Sequence, residues 1–262
     1  MPFNPIFKTL PKSQQRAWSQ LGPAKEMGFC LYGDTALALR FGHRESVDFD
    51  FFSAEALDKS LLMAKLPILK GAITLQESQN SCVVLACPAG ETDNVRLSFF
   101  GGMSFGRVGV PELSADGVLL AASVRDLMAT KLKVLFDRIE PKDYLDIAEL
   151  LRRGSSLSQG ICDALALFPS FSPIYCLKTL CFFAPQELAG LDRKCKSALT
   201  KAVATVAATS QSFAPSSILS SSLVPAADEL TAELNLVRAA PLATPATIRR
   251  RLRARRQEPP RR

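Results

Sequence analysis

The sequence predicts an α+β protein, in which a short mixed sheet with flanking helices precedes a helical domain and a flexible basic tail. Three observations lead to this prediction. Strand-like runs separated by turns fill much of residues 29–100, helical spacing of apolar residues begins at Ser123, and alanine, serine and proline dominate after about Lys196. These shifts predict domains at 1–115, 116–195 and 196–262.

The first domain is predicted from short elements near its start. Residues 29–33, FCLYG, form a compact apolar run that ends in glycine, as buried strands do. Residues 34–42, DTALALRFG, suit a short helix with Asp34 or Thr35 at its N-cap and glycine at its end. Residues 46–52, SVDFDFF, alternate with period two, which predicts a half-buried strand.

The later elements follow from the same patterns. Ser123 and Asp126 form a variant of the capping box at the start of the predicted helix 123–138. The predicted strands are 72–77, 82–88 and 94–100, and the predicted helices are 53–66, 123–138, 142–154, 157–168 and 172–190.

Composition places the chain among soluble globular proteins. Of its 262 residues, 47% are apolar and 22% are charged, and no apolar run approaches the roughly 20 residues that cross a bilayer. No secretory signal is visible, so we expect a cytoplasmic protein without a membrane partner. Seven cysteines and a single histidine favour buried reduced thiols over disulfides or a zinc site.

The formal charge of +7 belongs to one end of the chain. Eight arginines and one glutamate lie between Arg249 and Arg262, so this segment carries the whole net charge. It is either a solvated end or an electrostatic arm for RNA or another polyanion.

Two carboxylates stand in the apolar strand 46–52. Asp48 and Asp50 are two residues apart, so both project from one face of the strand, while Phe49 and Phe51 project from the other. Two ionised carboxylates repel each other at close range, and a divalent cation removes the conflict. A lone D-x-D is also found on exposed acidic strands, but here the phenylalanines predict that the opposite face is core. The pair therefore suggests a magnesium site.

Gly33 lies between the predicted strand 29–33 and the helix that follows. A glycine there lets the backbone approach an anion closely, and the first N–H groups of the helix supply donors. The same glycine would also suit an ordinary turn. Together with the carboxylate pair, it suggests a site for a nucleoside triphosphate.

These residues carry a family resemblance. The stretch YGDTALALRFGHRESVDFDFF resembles the signature of the AbiEii/AbiGii abortive-infection toxin family of nucleotidyltransferases, in the DNA polymerase β-like superfamily. The matching positions are Gly33, Thr35, Ala36, Leu37, Gly42, His43, Arg44, Ser46, Asp48, Asp50 and Phe52. A second matching block contains Lys131, Arg138, Asp143 and Asp146, and the resemblance extends over about residues 5–185.

The second block suits phosphate binding on physical grounds. Lys131 and Arg138 are seven residues apart, on one face of the predicted helix 123–138, and could neutralise a triphosphate. Asp143 and Asp146 could both face that helix from the next one. The alternative is a salt-bridged, solvated helix pair.

The resemblance implies a toxin-type nucleotidyltransferase that transfers a nucleotide from an NTP to an RNA or protein acceptor with Mg²⁺. It further implies a toxin–antitoxin system that acts in abortive infection against phage, with a winged-helix antitoxin as partner and RNA, including tRNA, as one acceptor. The predicted catalytic residues are Asp48, Asp50, Lys131 and Asp143, with Asp48 and Asp50 as metal ligands, and the predicted nucleotide-binding residues are Gly33, Asp34, Thr35, Arg44, Ser46 and Arg138.

Two departures from the family pattern keep other functions open. Asp34 stands where the family has glycine or serine, and Ser98 stands where related enzymes often have a third carboxylate. A carboxylate beside a phosphate cradle repels the ligand unless it caps the helix or joins the metal shell. The alternatives are a degenerate member that binds nucleotide or a partner without catalysis, and a small-molecule nucleotidyltransferase of the antibiotic-modifying type.

Overall fold

A mixed seven-stranded sheet forms the centre of the protein. The computed structural model describes residues 2–209 and 212–226. The strands are β1 (Cys30–Tyr32), β2 (Asp48–Phe52), β3 (Ile73–Ser78), β4 (Ser81–Ala86), β5 (Val95–Phe100), β6 (Glu112–Leu113) and β7 (Leu120–Ala121). They lie in the order β3-β4-β5-β2-β1-β7-β6, with β2 antiparallel to β1 and parallel to β5. The α+β prediction is confirmed, and the sequence pattern missed only the two-residue strands β6 and β7.

Helices surround this sheet and dominate the second half of the chain. They are α1 (Lys12–Trp18), α2 (Pro23–Glu26), α3 (Gly33–Phe41), α4 (Lys59–Lys65), α5 (Val124–Val134), α6 (Pro141–Arg152), α7 (Leu157–Leu167), α8 (Pro173–Cys181) and α9 (Arg193–Ala208). Within the described ranges, no helix is both long and apolar enough to span a membrane.

Strand β2 has the two faces that its sequence predicts. Phe49 and Phe51 are fully buried, and the ring of Phe51 stacks on Phe99 of β5 with centroids 5.1 Å apart. Asp48 and Asp50 occupy the other face and are only partly covered. The apolar face anchors the strand, so the carboxylates are held on a rigid element.

The start of α5 is fixed by Ser123 and Asp126. The Ser123 hydroxyl accepts from the backbone N–H of Asp126 (3.1 Å) and donates to the Asp126 carboxylate (2.6 Å). That carboxylate also accepts from the backbone N–H groups of Val108 (2.7 Å) and Gly109 (3.2 Å). A capping-box acid would turn back to the N-cap N–H. Here it joins α5 to the preceding loop instead.

Three predicted helices differ in extent from those observed. The predicted helix 172–190 ends at Cys181, because Phe182 takes an extended conformation and Pro185 follows. The prediction of a helix over 53–66 is wrong for its first residues, because Asp58 is the N-cap and its carboxylate accepts from Leu61 N at 2.9 Å. The predicted helix 123–138 ends at Val134, so Arg138 lies in the connection to α6 rather than on the helix face of Lys131.

The predicted tail contains ordered structure near its start. The boundary at residue 196 falls inside α9, because Cys195, Leu199 and Val206 of this helix are buried in the core. Residues 212–226 then return to the domain, where Ser216 N donates to Cys162 O (2.9 Å) and Leu223 is buried. The arginine-rich segment 249–262 lies outside the described residues.

The cysteines are free thiols, but the prediction that they are buried is wrong for Cys87, Cys162 and Cys181. Cys30, Cys82, Cys176 and Cys195 are buried, whereas Cys87 and Cys181 are exposed. Burial raises the pKa of the Cys176 thiol to about 12, so this side chain is an inert part of the core.

Helix α7 packs closely on α5 at Gly160. A Cβ atom built on Gly160 would lie 2.7 Å from Met128 Cγ and 3.2 Å from Leu132 Cδ1. We predict that Gly160→Val lowers the free energy of unfolding by about 2 kcal/mol, because overpacking forces the helices apart. Urea denaturation measures the change.

Ser158→Val is the control, since it puts the same side chain at a half-exposed position of α7. If both variants lose the same stability, the close contact of α7 with α5 is not the cause.

Candidate active site

The carboxylate pair lies in the middle of the sheet. Asp50 is opposite Tyr32 of β1 and Ser98 of β5, so Ser98 does occupy the neighbouring-strand position that the sequence indicated. Burial raises the pKa of the Asp50 carboxyl, and the charge of Asp48 raises it further. A hydrogen bond with Ser98 lowers this pKa but does not cancel the rise. Among the described residues, neither Asp48 nor Asp50 forms an ion pair. Arg96, opposite Asp48 on β5, lowers the pKa of Asp50 through its charge. The pair therefore carries negative charge that no ion pair within the described part of the chain offsets.

Gly33 brings the start of α3 against this pair. Its φ of +69° is one that L side chains rarely adopt, and a Cβ atom built on it would lie 3.1 Å from Asp50 Oδ2. The N-cap of α3 is Tyr32, which makes no side-chain capping bond. The first turn of the helix therefore begins directly beside the carboxylate pair. An anion bound there could accept hydrogen bonds from the free backbone N–H groups of this turn.

Asp34 does not cap the helix, so that expectation was wrong. It lies in the first turn of α3, and its carboxylate turns toward three cations. It contacts the ammonium of Lys131, Arg44 Nη2 at 3.2 Å and Lys142 Nζ at 3.1 Å. Burial alone would raise the pKa of Asp34, but these cations together hold it well below its usual range.

The Lys131 ammonium is buried among three carboxylates. Besides Asp34, it contacts Asp143 Oδ1 at 2.6 Å and Asp146 Oδ2 at 2.7 Å, both fully buried on α6. Burial alone would lower the pKa of Lys131, but the three carboxylates raise it above its usual range. The sequence left open a salt-bridged helix pair in place of a phosphate site. Lys131 and the aspartates of α6 do form salt bridges, but the cluster is buried and not solvated.

Each aspartate of α6 has a second cationic partner. Arg44 forms a two-pronged pair with Asp146, through Nε and Nη2, each at 2.7 Å. Arg138 pairs with Asp143 through Nε at 2.9 Å and Nη2 at 3.2 Å. The prediction that both aspartates face α5 is confirmed, since Lys131 of α5 contacts both, and Arg138 reaches Asp143 from beyond the helix end.

Thr35 and Ser46 lie inside the protein. Their hydroxyls are 2.7 Å apart, and Thr35 also donates to the backbone carbonyl of Asp48. Both residues are buried, so in this arrangement they join α3 to β2 and fix the carboxylate pair relative to the helix.

Two contributors to the site escaped sequence reasoning. Lys142, next to Asp143, pairs with Asp34, and a basic residue at that place in the second block was the available signal. His43, one of the positions that match the family signature, also lies at the site, because its Nε2 is 2.8 Å from Asp146 Oδ1 on α6. No sequence pattern indicated this contact, since it depends on how α6 packs.

The residues present fit a divalent cation at only one of two acidic groups. Asp34, Asp143 and Asp146 lie close enough together to hold a metal ion, but the Lys131 ammonium already contacts all three. Asp48 and Asp50 share one strand face and have no such partner among the described residues. Their uncompensated charge fits Mg²⁺, which prefers carboxylate oxygens.

We predict that Lys131→Met lowers the free energy of unfolding by about 3 kcal/mol at neutral pH, because buried carboxylates lose a partner. The lowered pKa values of Asp34 and Asp146 stabilise the fold above their ordinary value of 3.8, and this contribution is lost on acidification. The difference in free energy of unfolding between wild type and Lys131→Met should therefore become smaller as the pH falls below 3.8. Denaturant titrations across pH measure it.

Lys133→Met is the matched control on the same helix. Lys133 pairs with the exposed Asp137 at 2.9 Å, so we expect a loss of only about 0.5 kcal/mol. Equal losses in the two variants would contradict a stabilising role for the buried cluster.

The chain is similar to one protein family and to two known proteins. The family model described as nucleotidyl transferase AbiEii toxin, type IV toxin–antitoxin system, matches residues 21–170. A protein of Aquifex aeolicus (strain VF5), aq_aa25, itself uncharacterized, is 28% identical over 152 residues, which are 56% of this chain and 69% of that protein. A crystal structure from H. pylori, assigned as a nucleotidyltransferase, gives a TM-score of 0.49 at 14% identity, over 76% of this chain and 97% of that one.

The match to the family model includes every residue of the site described above. It begins before Gly33 and ends after Asp146, so it contains the carboxylate pair, the start of α3 and the aspartates of α6. The chain belongs to the AbiEii family of nucleotidyltransferase toxins of type IV toxin–antitoxin systems.

Proposed function

We propose that this protein transfers a nucleotide from an NTP to a hydroxyl group of an acceptor, with Mg²⁺ held by Asp48 and Asp50. The observation that carries the proposal is the uncompensated carboxylate pair beside Gly33 and the first turn of α3. Family membership supports nucleotidyl transfer in general, and the geometry supports these residues as its centre.

The side chains divide into two roles. Asp48 and Asp50 hold the metal, which, when bound, neutralises phosphate charge at the reacting group. Gly33 and the first N–H groups of α3 bind phosphate oxygens, and Lys131 and Arg44 supply positive charge behind them. Asp143 orients Lys131 and Arg138, since it is fully buried and pairs with both.

The reaction exchanges one phosphate bond for another. The acceptor oxygen forms a bond to the α-phosphorus of the NTP, and the bond from that phosphorus to the pyrophosphate breaks. The hydroxyl proton passes to solvent, and pyrophosphate leaves. Such transfers depend chiefly on positioning and charge stabilisation, so the absence of a third strand carboxylate at Ser98 is compatible with the reaction.

RNA, including tRNA, is the acceptor that the charge pattern favours. The segment Arg249–Arg262 carries eight arginines, and clustered arginines bind nucleic-acid phosphates through electrostatic attraction. A protein acceptor remains an outcome of the test. We also propose that a cognate antitoxin, expected to be a winged-helix protein, opposes the activity, and that the pair acts in phage defence in the cytoplasm.

We predict that Asp48→Ala abolishes nucleotide transfer, with a loss of about 100-fold or more, because the metal loses a ligand. Purified protein is incubated with Mg²⁺, each labelled NTP, and either total RNA or total protein. The same substitution should relieve growth arrest when the protein is expressed without an antitoxin.

Glu77→Gln is the control variant. It removes a carboxylate from exposed strand β3, where Glu77 pairs with Lys59 at 2.7 Å, and should transfer normally. Wild-type protein that labels neither RNA nor protein would favour the degenerate, binding-only member of the family.

A separate prediction concerns the metal itself. Mg²⁺ should stabilise wild-type protein against thermal unfolding, since it offsets the repulsion between Asp48 and Asp50, and Asp48→Asn with Asp50→Asn should remove this effect. Differential scanning calorimetry with and without Mg²⁺ measures it. A Mg²⁺-dependent rise in Tm that persists in the double variant would place the ion elsewhere.

A further inference from the structure

We propose that Asp34 is a displaceable substitute for phosphate. Its carboxylate pairs with the cations at the start of α3, and a bound triphosphate replaces it as their partner. This exchange makes Asp34 a specificity-determining residue. The inference rests on the proposed nucleotide-binding function. It explains why a carboxylate can stand beside a phosphate cradle without being a defect of the site.

Lys131 is almost completely enclosed in this structure: its side chain is 3% exposed and donates hydrogen bonds to Asp34 and Asp143. A lysine ammonium has three N–H bonds, and three different carboxylates contact it. A phosphate oxygen can therefore bind Lys131 only if one of the three carboxylates leaves. The question becomes which carboxylate can move.

Each of the three carboxylates has further cationic partners, which for Asp34 are Arg44 and Lys142; the two on α6 differ from Asp34 in their burial. Asp143 also pairs with Arg138, and Asp146 also pairs with both Arg44 and His43. The side chains of both aspartates are fully buried.

Asp34 is the carboxylate of the three that reaches solvent. Its side chain is 14% exposed, and its outer partner Lys142 is 36% exposed. Rotation of Asp34 toward solvent releases its ion pairs with Lys131, Arg44 and Lys142. Lys131 meanwhile keeps Asp143 and Asp146, at 2.6 and 2.7 Å, so the ammonium stays in position for a phosphate.

The charges of the cluster balance while Asp34 is in place. Four cations meet four carboxylates, so no unpaired positive charge is free to attract a ligand; the members are Lys131, Arg44, Arg138 and Lys142, and Asp34, Glu140, Asp143 and Asp146. When Asp34 leaves, one positive charge is uncompensated at the start of α3. A phosphate group next to the helix N-terminus supplies the missing negative charge.

The position of Asp34 is the position that phosphate would take. It follows Gly33 in the first turn of α3, and Gly33 lies against Asp50 of the carboxylate pair. A triphosphate held near Asp48 and Asp50 thus comes within reach of the same cations. The ligand must bring enough negative charge to replace a bound carboxylate, which favours a triphosphate over a monophosphate.

The test measures nucleotide affinity in variants of residue 34. Asp34→Asn keeps the shape of the side chain but removes its charge, so we expect the Kd for an NTP analogue with a non-cleavable α–β link to fall at least about ten-fold with Mg²⁺. The Kd for inorganic triphosphate should fall similarly, and the preference for tri- over monophosphate should shrink. Isothermal titration calorimetry of the full chain gives each value.

Two matched variants separate displacement from a general change in charge. Asp34→Glu restores the carboxylate and should return the Kd to within about three-fold of the wild-type value. Glu140→Gln removes a carboxylate that pairs with Lys142 (3.0 Å) and Arg138 (3.5 Å) but does not contact Lys131, and should change the Kd less than Asp34→Asn does.

The possible outcomes distinguish this inference from the proposed function. Wild-type protein that binds NTP, with no tighter binding in Asp34→Asn, overturns the inference alone. An equal gain from Glu140→Gln also overturns it, since general electrostatics would then suffice. If neither wild type nor Asp34→Asn binds any NTP, the inference and the proposed function both fail. Circular dichroism confirms that each variant is folded.

Discussion

The site depends on one buried ammonium and the three carboxylates around it. Lys131 comes from α5, Asp34 from α3, and Asp143 and Asp146 from α6, so this contact joins three helices. A buried charge is strongly unfavourable unless it is paired and hydrogen-bonded, and the helices must therefore approach in the arrangement that satisfies all four groups. The arrangement also fixes the start of α3 beside β2.

The charged residues of the site belong to two groups with different electrostatics. Around Lys131 every carboxylate has a cationic partner, and the charges balance. On β2, Asp48 and Asp50 lack such a partner among the described residues, and burial keeps the pKa of Asp50 raised. The group around Lys131 fixes the shape of the site, whereas the pair on β2 still needs a cation to offset its charge. Gly33 lies where the two groups meet.

Much of the site could be predicted because local rules govern it. Period-two alternation placed Asp48 and Asp50 on one face of a strand, and the spacing of Asp143 and Asp146 placed both toward α5. The errors arose where a distant partner overruled local preference. Asp34 suits an N-cap, but three cations draw its carboxylate away from the backbone. The segment after residue 196 has the composition of a flexible tail, yet its residues Leu199 and Val206 are buried in the core.

The sequence by itself determined the α+β class, the D-x-D strand, the glycine at the start of α3 and the residues of the second block, because period, spacing and turn chemistry are properties of neighbouring residues. Only the tertiary structure decided which charges pair. Asp34 and Lys131 are 97 residues apart in the chain, and no local pattern reports that they meet. Their contact depends on the packing of α3, α5 and α6. Because of this packing, Asp34, which by its charge should repel phosphate, pairs with the cations that phosphate would bind.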